Sequence, residues 1–347
     1  MGLRIRISLF FVLCVAISVL SVCPATAQRA PINPGDLDDL SEALRVATGN
    51  YADAYVQPVT DAFGAGMNSA LFRTADAGGG ILPMIDIYVG VSVTGTLMAS
   101  SDRTFLPEGE TISLGGRAFS VEYSGGAVPT AFGSTDTPDE FLQFRDQNTG
   151  QLLRDSEGSV VRSTLPPGVV DTPVAPLLIP QLGVGTAFGT DVMLRYLPQT
   201  RIKAYGTVGV FGVGVRHSIS QYIPMSPIDL AVQGVYNSVS LEDRNIEGDV
   251  LDASGWAFNL QASKSLPVVP VTFYGGLQYE TFSSEYAYEF NPTSESIDPV
   301  SFSLDQSSSN RVRGLAGVTI TLAVVRINVD YSLSANDVVT AGIGVQL

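Results

Sequence analysis

The stretch IDIYVGVSVT, residues 85–94, decides how the rest of the chain is read. Ile85, Ile87, Val89, Val91 and Val93 alternate with Asp86, Tyr88, Gly90, Ser92 and Thr94. A period of two puts one set on each face of a β-strand. The pattern returns at Ile228, Leu230, Val232, Gly234 and Tyr236, and at Trp256, Phe258, Leu260 and Ala262. It returns again at Val325, Ile327, Val329, Tyr331 and Leu333, and at Val339, Ala341, Ile343, Val345 and Leu347. A soluble sandwich buries such an apolar face under a second sheet. A membrane barrel turns it to lipid and keeps the polar face for a lumen. Length separates the two, because sandwich strands run about 5–6 residues and membrane strands about 9–11. Several runs here reach ten residues or more.

The expected fold class is therefore all-β, an antiparallel transmembrane β-barrel of about 12 strands with 10–14 admissible. The candidates are 84–98, 111–123, 126–133, 177–188, 190–197, 203–216, 227–239, 254–264, 269–285, 310–322, 324–333 and 338–347. Connection lengths test this independently. With both chain ends placed in the periplasm, the connections 134–176, 240–253 and 286–309 fall outside. Ser124–Gly125, Gly189, 265–268 and Ala323 fall inside, and the one longer inside turn is 217–226. Short periplasmic turns and long external loops are the outer-membrane pattern, and a sandwich has no reason to sort by parity. A last strand ending on apolar Leu347 is expected from the same class, although the usual final residue is aromatic.

Ahead of the strands, Arg4 and Arg6 precede an apolar run at 7–22 and then Ala25-Thr26-Ala27. That run falls short of the roughly 20 residues that cross a bilayer. The expectation is a signal peptide over 1–27, cleaved before Gln28 and exporting the chain to a Gram-negative outer membrane. Both cysteines, Cys14 and Cys23, lie in it, so the mature chain offers no disulfide, thiolate or thiolate-bound metal. Residues 36–55 carry Leu37, Leu40, Leu44, Ala47, Tyr51 and Tyr55 at helical spacing, with Pro58 expected to interrupt them. AFGAGMNSALF, residues 62–72, is small and Gly-rich, and 76–80 reads as flexible. A barrel this wide holds more space than its own side chains fill. Residues 28–80 are thus expected to form a helical hatch or plug, with Phe63, Met67 and Phe72 as candidate ligand contacts, and 81–347 the barrel. A periplasmic tether or a partner-binding helix is the alternative for this segment.

The chain has 347 residues with 34 acidic against 19 basic, a net charge of −15, which disfavours a nucleic-acid binder. Only 15% of residues are charged, so acidic and apolar groups must be segregated. Glu242, Asp243, Glu247, Asp249 and Asp252 crowd one expected outer loop, and Glu289, Glu295, Asp298 and Asp305 another. A solvated surface explains them. Calcium, or lipopolysaccharide bridged by divalent cations, is the sharper reading, and no EF-hand spacing supports it.

His217 is the single histidine, flanked by Ser218 and Ser220. In a strand Ser218 points away from it, and no G-x-S-x-G element is present, so an interfacial polar role fits better than a dyad. Asp86, Asp229, Glu280, Arg326 and Asp330 are the candidate polar residues of the lumen, and Arg216, Arg311 and Arg313 also fit an inward face. Paired lumen charges require no catalysis. No enzyme activity, cofactor or metal site is expected. Tyr196, Tyr222, Tyr236, Trp256 and Tyr331, near strand ends, suit an aromatic girdle.

AFGAGMNSALF (62–72), PQLGVGTAFGTDVMLRYLP (180–198), VGVRHSISQYIP (213–224) and PIDLAVQGVY (227–236) together resemble an uncharacterised outer-membrane β-barrel family known only as a domain of unknown function. That resemblance implies a barrel and assigns no catalytic residue. The order of hatch then barrel is also similar to the long-chain fatty-acid transporters, whose Asn-Pro-Ala hatch motif is missing here. The functional expectation is passive transport of small hydrophobic molecules, with outer-membrane lipid and lipopolysaccharide as surroundings. The alternative is a non-transporting structural or surface-interaction protein.

Overall fold

The computed structural model describes residues 34–77, 85–114, 117–154, 158–160, 162–168, 171–186, 188–202, 206–242, 249–290 and 300–347. The leader expected over 1–27 lies outside them, as do 78–80 and the acidic stretches 243–248 and 291–299. Ten strands form a ring. They are β1 (Ile85–Leu97), β2 (Val174–Thr186), β3 (Thr190–Ile202), β4 (Gly206–Ser218) and β5 (Asp229–Glu242). The others are β6 (Asp249–Ser265), β7 (Val271–Phe290), β8 (Val312–Leu322), β9 (Val325–Leu333) and β10 (Val338–Gln346). Each pairs antiparallel with the next, and β10 closes on β1 from Tyr88↔Gln346 to Thr96↔Val338. A further strand, Val300–Ser307, folds back on the far end of β7 without joining the ring.

The alternation sorts as lipid would sort it. Val89, Trp256, Phe258, Leu277 and Ile343 lie about half exposed on the outer wall, whereas Thr94, Asn259, Gln261 and Thr340 are buried inside. This reverses a soluble core. At about 25 cal/mol per Å² of apolar surface, it is favourable only against hydrocarbon.

Ten strands stand at the low end of the expected range. Candidates 111–123 and 126–133 do not join the ring. They belong to a cap, residues 98–173, inserted between β1 and β2. There Thr111–Leu114, Arg117–Tyr123, Phe141–Asp146 and Arg162–Thr164 form a small sheet beside the pair Thr104–Phe105 and Val128–Pro129. Strands of two to seven residues are too short for a membrane band about 25 Å tall. Their apolar residues Phe119, Val121 and Phe144 cover one another instead. Losing two strands preserves parity. The connections that follow β2, β4, β6 and β8, namely 188–189, 219–228, 266–270 and 323–324 as far as described, all lie at one end, the turn end, opposite the cap. At the first of these Gly189 has φ +68°, a left-handed turn position suited to glycine.

Helix α1 spans Pro34–Met67 and runs through Pro58, correcting the expected interruption. An interior proline costs about 3 kcal/mol through its lost N–H and its ring clash. The helix persists because Val56, Val59, Ala62, Phe63 and Met67 are all buried against barrel and cap, gross contributions of about 1.5–3 kcal/mol for each large side chain. Midway along its length the helix meets the cap, where Asn50 Nδ2 donates to Glu110 Oε2 at 2.8 Å and the Tyr51 ring meets Phe105 and Tyr123. From Tyr51 to Met67 it descends about 24 Å into the barrel. The chain then continues to the turn end, where β1 begins.

Candidate functional site: the filled lumen

A helix ends with unsatisfied carbonyls and a partial negative charge. Here that end sits inside the barrel and arginines meet it. Arg195 on β3 donates from Nη1 to the Met67 carbonyl at 2.6 Å and from Nη2 to the Ser69 carbonyl at 2.7 Å. Arg313 on β8 donates from Nη2 to the Ala65 carbonyl at 3.1 Å and from Nη1 to Ser69 Oγ at 2.5 Å. β3 and β8 stand diametrically opposed in a ring of ten, so the two cations grip the helix end from both walls. Arg313 is also paired with Glu280 through Nη2–Oε1 at 2.8 Å and Nε–Oε2 at 3.0 Å, both side chains being fully buried. Arg195 is fully buried as well and makes no carboxylate ion pair among the described residues. The carbonyl end of the helix is its counter-charge.

Residues 68–77 have no regular structure, so their backbone groups need other partners. The wall supplies them. Gln278 Nε2 donates to the Asn68 carbonyl at 2.9 Å, Gln233 Nε2 to Leu71 at 3.3 Å and Thr319 Oγ1 to Arg73 at 2.7 Å. Arg216 donates to the Thr74 and Asp76 carbonyls and pairs with Asp191. The Ala75 amide donates to Ser263 Oγ at 2.9 Å.

The three candidate hatch residues are all buried but do not share one pocket. Phe63 and Met67 lie in an upper apolar collar with Val210, Val239, Leu251 and Phe282 of the inner wall. Phe72 lies lower, its ring 5.9 Å edge-on from Tyr274. It fits because β7 carries Gly276 there: a Cβ would stand 2.8 Å from the Phe72 ring.

The five candidate lumen residues divide similarly. Glu280 joins Arg313 at mid-barrel, and Asp330 accepts from Tyr274 OH at 2.8 Å. Asp86, Asp229 and Arg326 lie toward the turn end. Asp86 accepts from Gln346, and Asp229 from Ser263 Oγ at 3.4 Å. Beside them the Arg73 guanidinium covers the Tyr88 ring at 3.3 Å. Of the other arginines, Arg216 and Arg313 face inward, while Arg311 is exposed, just ahead of β8. Arg195 was not among the sequence candidates. Its signal was present in Asp191, Met193 and Arg195 alternating with Val192, Leu194 and Tyr196.

His217 Nδ1 lies 2.8 Å from Thr190 Oγ1, and its Nε2 lies 3.0 Å from Tyr222 OH. Ser218 Oγ is engaged with Ser220 Oγ at 3.1 Å, so ring and hydroxyl are not joined. Among the described residues no group of three histidines, cysteines or carboxylates is placed to hold a metal ion. Tyr196, Trp256 and Tyr331 face outward, with Tyr236 packed 5.1 Å from Trp256. Tyr222 stands instead in a turn, against His217.

A closed antiparallel ring, apolar outside and polar within, defines an outer-membrane β-barrel protein. Its sequence matches, over residues 5–347, a family of unknown function, DUF6588, and the chain belongs to that family. No curated protein matches it. Among solved structures it is similar to a loop-deletion mutant of OmpT, an outer membrane protein of Vibrio cholerae, at 9% identity, 76% of this chain, 99% of that one and TM-score 0.26. It is similar also to the autotransporter NalP translocator domain of Neisseria meningitidis, at 10% identity, 76% and 88% coverage and TM-score 0.21. The outer membrane protease OmpT of Escherichia coli aligns at 8% identity, 81% and 100% coverage and TM-score 0.27.

Proposed function

We propose that this barrel admits small hydrophobic molecules passively, with α1 and residues 68–77 as its hatch. The observation that carries the reading is the collar. Val210, Val239, Leu251, Ala253 and Phe282 make the inner wall apolar near the cap, where a water-filled pore would be polar. Withdrawing the helix exposes that wall at a cost of about 1.5–3 kcal/mol per large side chain. A hydrophobic solute seated in the collar restores part of the lost burial. It thereby binds the open state in preference to the closed one, the only way a ligand shifts such an equilibrium. Below the collar, the hatch is held by hydrogen bonds that water can replace one by one. The solute would be captured under the cap, pass the displaced helix and leave through the wall or into the periplasm.

A reversible lock tests this. The Cβ of a residue placed at Gly66 would stand 3.3 Å from Thr94 Oγ1, so Gly66→Cys with Thr94→Cys can tether hatch to wall. In proteoliposomes loaded with a binding protein for a hydrophobic fluorophore, the expected result is flux in the parent, none in the oxidised pair and recovery on reduction. Equal flux in the oxidised and reduced forms overturns the hatch. Absent flux both in the parent and in a chain lacking residues 28–80 overturns transport. It leaves the closed barrel as a structural or surface-interaction protein.

A further inference from the structure

The outward row of β6 runs Trp256, Phe258, Leu260, Ala262 and then Lys264 at the turn end. The chain has only two lysines, and the other lies outside the described residues. An exposed ammonium on a lipid-facing row is stable only at headgroup height, with its stem lying along the apolar surface. Lys264 donates to the Pro227 carbonyl, which uses one of its three N–H donors. Among the described residues it makes no ion pair, although the chain carries a net charge of −15.

Beside it the outer wall is recessed. Lys264 pairs across the strands with Phe273, and Ala262 with Gly275. Ile228, Ala262, Lys264 and Phe273 line a shallow hollow, and a second shallow hollow lies beside it across Ala262, among Leu230, Leu260, Gly275 and Leu277. Just below, Met225 and Val268 project from neighbouring turns, more than nine-tenths exposed. The recess is continuous with the lipid-facing wall, so its occupant comes from the bilayer.

We propose that this recess binds one glycerophospholipid of the periplasmic leaflet. An acyl chain lies along Ala262 and Gly275, and the phosphodiester accepts from the Lys264 ammonium. The leaflet follows from the turn end, which carries the short connections that face the periplasm in barrels of this class. Lipopolysaccharide, in the opposite leaflet, is excluded by position. The site stands whether or not a solute crosses the lumen.

Native mass spectrometry of the full chain in detergent, titrated with dioleoyl phosphatidylglycerol, tests this. Heat-modifiable gel mobility confirms that each variant is folded. The parent is expected to retain one lipid more tightly than the rest. Lys264→Gln should weaken that lipid about fivefold, the effect of one cation at an anionic surface, and Lys264→Arg should keep it. Ala262→Trp, which fills the hollow, should remove it with the charge intact. Retention unchanged in folded Lys264→Gln overturns the proposal, as does equal displacement by lipopolysaccharide.

Discussion

Arg195 is the residue on which the lumen most depends. It satisfies the Met67 and Ser69 carbonyls, and the helix end in turn offsets its charge. Arg195→Leu is expected to cost about 1–3 kcal/mol, the penalty of leaving buried acceptors unpaired. It should also raise spontaneous conductance in planar bilayers, since one side of the grip is lost. Glu280 acts differently. Replacing it with Gln leaves Arg313 buried without its carboxylate, a loss of about 3–5 kcal/mol that denaturant titration in detergent would register. Gly276→Ala pushes a Cβ against Phe72 and the Leu260 carbonyl, and about 1–3 kcal/mol of overpacking is expected in the same titration. Of these residues, Glu280 was legible beforehand because Gln278 and Glu280 alternate with Leu277 and Tyr279, which puts it on the inward face. Arg195 was equally regular in spacing, but its run, 190–197, is one of the two shortest strand candidates, with 126–133. The need for glycine at position 276 was invisible, because the ring that meets it lies some 200 residues away in sequence.

At the scale of the element, the helix and the cap depart most from what their residues suggested. Pro58 reads as a stop, and only enclosure by the wall carries α1 past it. The cap's strands carry a period of two but bury their apolar faces within the insert. Their pairing is therefore a matter of contact rather than pattern. In that sheet the Asp146 carboxylate is held below the usual range, first by the backbone N–H of Thr149, then by that of Asn148 and by Arg117. A depressed carboxylate stabilises the fold above the unfolded value of about 3.9 and loses that contribution as pH falls through the folded one. The hydrogen-exchange protection of the turn 146–150, taken relative to the intrinsic rate, is expected to begin falling below about pH 4 and to be lost through the folded value. Asp146→Asn should remove that pH dependence. If protection of the turn falls with pH alike in the parent and in Asp146→Asn, the contacts around Asp146 do not hold it.

For the whole molecule, the path of the chain is the main consequence. α1 comes in from the cap and the strands begin at the turn end, so cap and turns must lie on opposite sides of the membrane. Single cysteines at Asn50 and Leu106 are expected to react with a membrane-impermeant maleimide on intact cells. One at Met225 should react only after the outer membrane is opened. Labelling of Met225 from outside would reverse the orientation and remove the leaflet assignment of the lipid recess. The sequence by itself determined the barrel. Alternation of apolar and polar residues along one strand is a local property, and strand length and loop parity convert it directly into a membrane-spanning ring. It also named the N-terminal segment as separate from that ring. Ten strands rather than twelve, a helix that ignores its proline, and two opposed arginines on one helix end were decided by the tertiary structure alone. Each depends on groups far apart in the chain meeting inside a closed wall, where an unmatched carbonyl or charge has no water to satisfy it.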